Sequence, residues 1–273
     1  MKRPVATVLV NTALIAGAIA TAFPLLWMLS VSFMPSGSAS SFPPPLLPRT
    51  PTLDNYRQMF ADNAAGLYML NSALVATAVT AISLLFNTLA GYAFAKLRFK
   101  GRDQIFRALL GALVIPAQVA MIPLFALVKQ LGLVSTYGGV IVPGMATVFG
   151  IFLVRQYALS IPDELLEAAR MDGASELRIF RSIVVPLLRP ILVTLAILTF
   201  LATWNDFMWP LIVLTQQKLY TLPVALASLS REHVQDNELM MAGAVITVVP
   251  VLVLFLAMQR YYIAGILAGS IKG

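Results

Sequence analysis

Apolar runs of membrane-spanning length alternate with polar segments along almost the whole chain. A helix needs about 20 apolar residues to cross roughly 30 Å of hydrocarbon, and most of the runs reach or approach that length. The fourth run is short and rich in glycine, but glycine is tolerated in membrane helices, as is the proline at position 143. The pattern predicts an all-α membrane protein with one transmembrane domain and six spans, at residues 7–33, 72–95, 108–128, 138–154, 191–214 and 240–258.

The overall composition agrees with a membrane protein. Hydrophobic residues make up 59% of the 273 residues and charged residues 11%, whereas soluble domains carry about 25% charged residues. Six spans and their loops use nearly the whole chain, so no length is left for a soluble catalytic domain. Ala20-Thr21-Ala22 resembles a signal-peptidase site, but the apolar run continues past it to Phe33. We therefore expect the first run to stay as a span.

The basic residues predict the orientation of the chain. If the amino terminus is cytosolic, five of the nineteen Lys and Arg residues fall in outside segments, and the other fourteen fall in four cytosolic segments. Cytosolic segments of membrane proteins carry the excess of positive charge. We therefore expect a multi-pass protein of a bacterial or archaeal cytoplasmic (inner) membrane with both termini in the cytosol. The five outside cations are Arg49, Arg57, Lys129, Lys218 and Arg231.

Two connecting segments are longer than a simple turn between spans. Residues 34–70 lie outside in this orientation and begin with a proline- and serine-rich stretch, which favours an extended, turn-rich conformation. A short helix is predicted there from Leu53 to Phe60. The other long segment, residues 155–189, lies in the cytosol and carries its own helix-forming pattern.

The cytosolic segment 155–189 predicts two capped helices. Pro162 suits the first position of a helix because its missing N–H needs no partner there, and Asp163 and Glu164 place negative charge at the positive end of the helix dipole. Gly173 can end this helix with a positive φ, and Ser175 can cap a second helix. Pro186 and Pro190 then mark the entry to the fifth span. Such helices lie on the bilayer surface or dock against another protein.

The order of residues in this segment favours docking. Glu167-Ala168-Ala169, Asp172-Gly173-Ala174 and then Ile183 and Pro186 resemble the "EAA" loop of ABC importer permeases. The resemblance implies that the first helix is the coupling helix, which inserts into a groove on an ATPase subunit. The residues expected to make that contact are Glu167, Ala168, Ala169, Arg170, Met171, Asp172, Gly173 and Ala174.

The likeness extends over nearly the whole chain. Asn71-Ser72-Ala73-Leu74, Tyr92 to Phe99, Trp204 to Phe207 and the tail from Gln259 are similar to carbohydrate ABC permeases, and within that group to the smaller, six-span subunit of the maltose type. The resemblance implies a type I importer permease that pairs with a second, larger permease, two ATPase subunits and an extracytoplasmic solute-binding protein. It also implies that the tail contacts the ATPase dimer, through Gly269, Lys272 and Gly273.

The sequence predicts no chemistry of its own for this chain. It contains no G-x-x-x-x-G-K-[ST] motif, so we expect ATP and Mg to bind partner ATPase subunits and no cofactor to bind this chain. An intramembrane serine protease needs a histidine within the membrane, and the one histidine, His233, falls in an outside loop. A metal site is not expected either, because there is no cysteine and no second histidine.

The fifth apolar run contains the residues expected to face the substrate. Asp206 is the acidic side chain well inside a predicted span, and ionisable groups at that depth usually face a cavity or a partner. Trp204, Asn205, Asp206 and Phe207 could line a sugar path, since polar groups and flat aromatic faces bind sugars. The alternative is that Asp206 only fixes helix packing.

The solute leaves two further alternatives open. An ABC permease for a non-sugar solute such as glycerol 3-phosphate is one, although the predicted spans contain no Lys or Arg to hold a phosphate. A secondary transporter is the other, although it would need several ionisable groups along its spans for ion coupling.

Overall fold

The computed structural model describes residues 4–232 and 236–268, and this part of the chain is helical with no β-strand. Short 3-10 turns occur at Val142–Gly144 and Gln217–Leu219, and a wider π turn at Phe180–Val184 joins two helices into one continuous element. The α-helices are α1 Pro4–Ser32, α2 Asp54–Ala61, α3 Ala65–Lys96, α4 Arg102–Ala112, α5 Ala117–Gln130, α6 Tyr137–Ile141, α7 Val148–Ala158, α8 Asp163–Met171, α9 Glu176–Ile179, α10 Val185–Trp204, α11 Met208–Val213, α12 Leu222–Glu232 and α13 Asn237–Ala268.

Five elements among the described residues are long and apolar enough to cross a membrane. They are Thr7–Ser32, Ala65–Lys96, Tyr137–Ala158, Glu176–Trp204 and Asn237–Gln259. Helices α4 and α5 together meet the same criterion but are bent by 106°, so they make a sixth span if the pair counts as one. Many large apolar side chains on these helices are exposed, as expected of surfaces that face lipid rather than water.

The chain divides into two compact units by its internal contacts. The first unit is built from Met1–Met69 and Leu222–Leu252. In it the Asn55 side chain of α2 donates hydrogen bonds to the carbonyls of Ser32 and Met34 at 2.9 and 2.8 Å. Buried Glu238 accepts a hydrogen bond from the backbone N–H of Ala39 at 2.6 Å. These bonds hold the long segment that follows α1 against the first turn of α13.

The second unit is built from Leu70–Thr221 and Val253–Gly273. Helices α3 and α7 approach each other closely in it, since a Cβ added at Gly91 would lie 2.6 Å from the side chain of Val154. Asn87 of α3 is fully buried and accepts a hydrogen bond from the backbone N–H of Thr147 at 2.9 Å. Thr147 is the N-cap of α7, so Asn87 satisfies the backbone where the fourth span is interrupted.

The fifth span differs most from its predicted bounds of 191–214. Its helical element begins at Glu176 and ends at Trp204, so the second predicted cytosolic helix is continuous with the span, and Pro186 and Pro190 lie within it. The π turn at Phe180–Val184 precedes the two prolines, at the point where their missing N–H groups interrupt the regular ladder. This element also includes three arginines, at 178, 181 and 189, that the predicted bounds had placed outside the span.

Other boundaries depart from the sequence pattern in smaller ways. The predicted span 108–128 is the bent pair α4 and α5, and the break between them ends at Pro116, which is the N-cap of α5. The helix predicted at 53–60 is present as α2. Helix α12 had no counterpart in the prediction, although Leu222, Ala225 and Leu229 recur at helical spacing and are buried.

Candidate functional site

Helix α8 is a short, separately capped helix that contains most of the predicted contact residues. Pro162 is the N-cap of α8, whereas the sequence predicted it at the first helical position. Asp163 and Glu164 occupy the first turn. Leu166 is 1% exposed and packs in the apolar core of the second unit, with Ala169 against the same core. The buried side therefore anchors α8, and the opposite side is left for another surface.

Gly173 ends α8 in the way the sequence predicted. Its φ is +80°, a conformation that glycine adopts without penalty. The N–H of Ala174 donates to the carbonyl of Ala169 and the N–H of Gly173 donates to the carbonyl of Arg170, both at 3.0 Å. These two bonds form a Schellman motif, which satisfies the last carbonyls of the helix. Ser175 then caps α9, its side chain accepting from the N–H of Arg178.

The amino-terminal end of α8 is tied to α3 by an ion pair. The Lys96 ammonium donates to the Asp163 carboxylate at 2.7 Å and to the carbonyl of Ile161 at 2.5 Å. The Lys96 side chain is only 6% exposed, whereas that of Asp163 is 73% exposed. The hydrogen bond from Lys96 lowers the pKa of the Asp163 carboxyl below its ordinary value. The pair is therefore charged at neutral pH.

The carboxy-terminal end of α8 is tied to the same helix through a third residue. The Arg170 guanidinium donates to Glu176 at 2.7 Å, and the Tyr92 hydroxyl of α3 donates to the other oxygen of that carboxylate at 3.0 Å. The bond to Glu176 raises the pKa of Arg170 above its already high ordinary value. Two polar links thus connect the ends of α8 to one helix of membrane-spanning length, α3.

The exposed side of α8 is mixed in character. Met171 is 88% exposed and Leu165 44%, and Glu164, Glu167, Ala168 and Asp172 are exposed as well. Glu167 lies at one edge of this face, where it lines a cavity of about 740 Å³ together with Lys96, Arg98, Arg102 and Arg170. The same cavity is also lined by Asp163 and Glu176, so the face offers apolar contacts beside a cavity of mixed charge.

Sequence reasoning missed part of this arrangement. Glu164 and Leu165 are exposed on α8 but were not among the predicted contact residues. Because these two residues come directly before buried Leu166 on the same helix, helical geometry could have predicted that they are exposed. Tyr92 and Glu176 carry no such signal, because they are 84 residues apart in the sequence.

The predicted substrate residues do not share one environment. Trp204 is the last residue of α10 and is 4% exposed, with its ring stacked on Phe200 at 5.9 Å. Asn205, Asp206 and Phe207 follow the end of that helix, so the prediction that Asp206 lies well inside a span is wrong. The Asp206 carboxylate accepts from the backbone N–H of Trp209 at 3.4 Å.

Local hydrogen bonds accompany this break. The carbonyl of Leu201 accepts both the backbone N–H of Asn205 at 3.1 Å and its side-chain amide at 2.8 Å. Asp206 then stands before the first turn of α11. The third predicted site, Gly269, Lys272 and Gly273, lies outside the described residues.

The fold and its exposed apolar surface define a multi-pass membrane protein. Residues 87–267 match the family described as "binding-protein-dependent transport system inner membrane component". The chain belongs to this family. It is therefore a membrane component of a transport system, and the predicted relationship to ABC importer permeases is confirmed.

Individual relatives resemble the chain over most of its length. It is 43% identical to the arabinooligosaccharides transport system permease protein AraQ of Halalkalibacterium halodurans, over 92% of this chain and 91% of the relative. It is 32% identical to the sn-glycerol-3-phosphate transport system permease protein UgpE of Salmonella typhi, over 95% of each. Among solved structures, a chain of a bacterial ABC transporter involved in the import of the acidic polysaccharide alginate has a TM-score of 0.85, with 25% identity over 96% of this chain and 98% of that one.

Proposed function

We propose that this chain is one of two membrane subunits of an ATP-driven, binding-protein-dependent importer of mono- or oligosaccharides. The observation that carries the proposal is α8: a short helix with one buried side, a capped end at Gly173, an exposed mixed face and two polar links to α3. A subunit that receives motion from an ATPase needs a rigid surface element connected to its spans.

Helix α8 is proposed to dock into a groove on an ATPase subunit. Glu167, Ala168, Met171 and Asp172 supply the contact from its exposed face, with Ala169, Arg170, Gly173 and Ala174 completing the predicted segment. Small alanine side chains permit close approach, and the Glu167 carboxylate supplies a charged contact. Movement of the groove then pulls on α3 through the Lys96–Asp163 and Tyr92–Glu176–Arg170 links.

The remaining subunits follow from this role. Two ATPase subunits bind ATP and Mg, since the chain has no P-loop sequence. A second, larger permease completes the translocation path, and an extracytoplasmic binding protein delivers the solute. The excess of basic residues in the four predicted cytosolic segments supports an orientation with both termini in the cytosol of a bacterial or archaeal cell. The tail residues Gly269, Lys272 and Gly273 are proposed to contact the ATPase dimer.

The substrate is proposed to be a neutral sugar. The relative at 43% identity is named for arabinooligosaccharides, and the break at Asn205, Asp206 and Phe207 offers polar and aromatic groups to a translocation path. Trp204 contributes mainly by packing, because it is buried. The alternative is glycerol 3-phosphate, for which the relative at 32% identity is named.

The docking role is tested by reversing the charge of Glu167. The complete transporter is reconstituted in liposomes, and sugar uptake and ATP hydrolysis are measured for Glu167→Lys. We expect uptake to fall at least ten-fold while membrane insertion and assembly of the chain stay normal. Asp62→Lys, which makes the same charge change at an exposed position after α2, serves as the control. Normal uptake by Glu167→Lys would remove the basis of the proposal.

A further inference from the structure

A basic concavity lies at the turn between α3 and α4, and it shares Arg98 and Arg102 with the cavity beside Glu167. Its volume is about 550 Å³, and its lining includes Arg98, Arg102 and Arg107 together with the ring of Phe99. Asp103 is the acid in this lining, and it is paired with Arg102 at 3.0 Å. The concavity therefore keeps a net positive charge.

Phe99, which lines this concavity, belongs to an aromatic cluster. The ring of Phe94 lies 5.7 Å from Phe99 and 5.5 Å from Phe106. The Arg155 guanidinium stacks 4.1 Å from the centre of the Phe106 ring and donates to the carbonyl of Phe94 at 3.3 Å. These contacts tie the turn that follows α3 to α4 and α7.

The kind of anion that can reach this concavity depends on where the turn between α3 and α4 lies relative to the membrane. Helix α3 is a candidate span that ends at Lys96, and α4 begins at Arg102 as part of the bent pair. A short turn between two such elements lies at the boundary between lipid and water. Phe99 and Ile105 are 42% and 49% exposed beside the arginines, so the surface combines cations with apolar side chains.

We propose that this concavity binds the phosphate group of an anionic phospholipid. The headgroup phosphate lies against Arg98, Arg102 and Arg107, since guanidinium groups match phosphate oxygens in charge and geometry. The acyl chains lie along Phe99 and Ile105. A free phosphate would use the same arginines but would gain nothing from the exposed apolar side chains. The site shares Arg98 and Arg102 with the cavity beside Glu167, but it does not depend on which solute is transported.

Native mass spectrometry of the full chain in neutral detergent tests the site directly. Phosphatidylglycerol and phosphatidylcholine with identical acyl chains are titrated separately, and a third titration adds excess inorganic phosphate to phosphatidylglycerol. We expect the anionic lipid to bind more tightly and phosphate to compete weakly. The double variant Arg98→Gln, Arg107→Gln should weaken phosphatidylglycerol binding by about 25-fold, at about five-fold for each arginine near a lipid surface.

The matched control removes two exposed cations from elsewhere in the same unit, as Lys129→Gln, Lys218→Gln. It should leave the affinity for phosphatidylglycerol within about two-fold, and both double variants should unfold at the same temperature as the original chain in detergent alone. An equal loss in the control, or equal affinity for the two lipids, would overturn the proposal. Full competition by inorganic phosphate would assign the site to the free anion and would also overturn it.

Discussion

Replacing Gly173 by alanine tests how much the rigid end of α8 matters. A Cβ at this position meets no atom within 4 Å, and the φ is +80°. The substitution therefore adds backbone strain without a steric clash. The left-handed conformation costs an L-residue roughly 1–2 kcal/mol, which shifts an equilibrium by a factor of about 5–30. We expect the last turn of α8 to shift away from its native conformation by that factor.

The chain supplies a matched control in Gly132, which follows α5. Its φ is +70°, and an added Cβ again meets nothing within 4 Å. The N–H of Leu133 donates to the carbonyl of Val128 at 3.0 Å and that of Gly132 to the carbonyl of Lys129 at 3.1 Å. This is the same Schellman motif, so Gly132→Ala should cost the same strain at a position outside the proposed docking surface.

The assay combines stability with coupling in the reconstituted transporter. Both alanine variants should lower the Tm of the purified protein by a similar amount. Gly173→Ala alone should lower the amount of solute imported per ATP hydrolysed, by about five-fold or more. Gly173→Asn should recover part of that loss, since asparagine tolerates a positive φ. An unchanged import ratio for Gly173→Ala, or an equal decrease for Gly132→Ala, would refute the reasoning.

Three further substitutions test the links around α8 and the interrupted span. Tyr92→Phe removes the hydroxyl that donates to Glu176 and should destabilise the protein by about 1–2 kcal/mol, measured by denaturant unfolding. Lys96 lowers the pKa of the Asp163 carboxyl. The Lys96–Asp163 pair therefore stabilises the fold at pH values above 3.8, the ordinary pKa of the carboxyl. This stabilisation is lost as the pH falls below 3.8 and Asp163 becomes protonated. Asp163→Asn should therefore flatten the acid side of the profile of Tm against pH. Asn87→Ala leaves the buried N–H at the N-cap of α7 without its acceptor and should cost about 1–3 kcal/mol in the same unfolding assay.

Each of these three predictions would be contradicted by one specific result. A Tyr92→Phe variant as stable as the original protein would show that the hydroxyl makes no net contribution. An acid profile that Asp163→Asn leaves unchanged would mean that other carboxyl groups control the acid response. Full stability of Asn87→Ala would show that another group satisfies the interruption in the fourth span.

Features that depend on near neighbours could be predicted from the sequence. The capped end of α8 is one example, since Gly173 and Ser175 act on backbone groups within a few residues of themselves. The all-α class is another, because long apolar runs in lipid satisfy their backbone only as helices. The short helix near Asp54 followed from the same kind of local pattern.

The ends of the spans were less predictable. Residues 205–214 continue the apolar run of α10, yet the helix ends at Trp204, where the Asn205 side chain bonds to the carbonyl of Leu201 and Asp206 accepts from the N–H of Trp209. Hydropathy does not register such bonds. The pattern also missed α12, whose apolar positions were too few to stand out beside the longer runs.

The sequence by itself determined that the chain is a helical membrane protein with a short, separately capped helix at residues 163–173. Only the tertiary structure decided that Lys96 pairs with Asp163 and that Tyr92 meets Glu176. Helices such as α3 are apolar on all sides, because lipid and the protein interior both favour apolar side chains, so their periodicity does not indicate which face meets which neighbour. Contacts between segments 67 and 84 residues apart follow from how those faces pack.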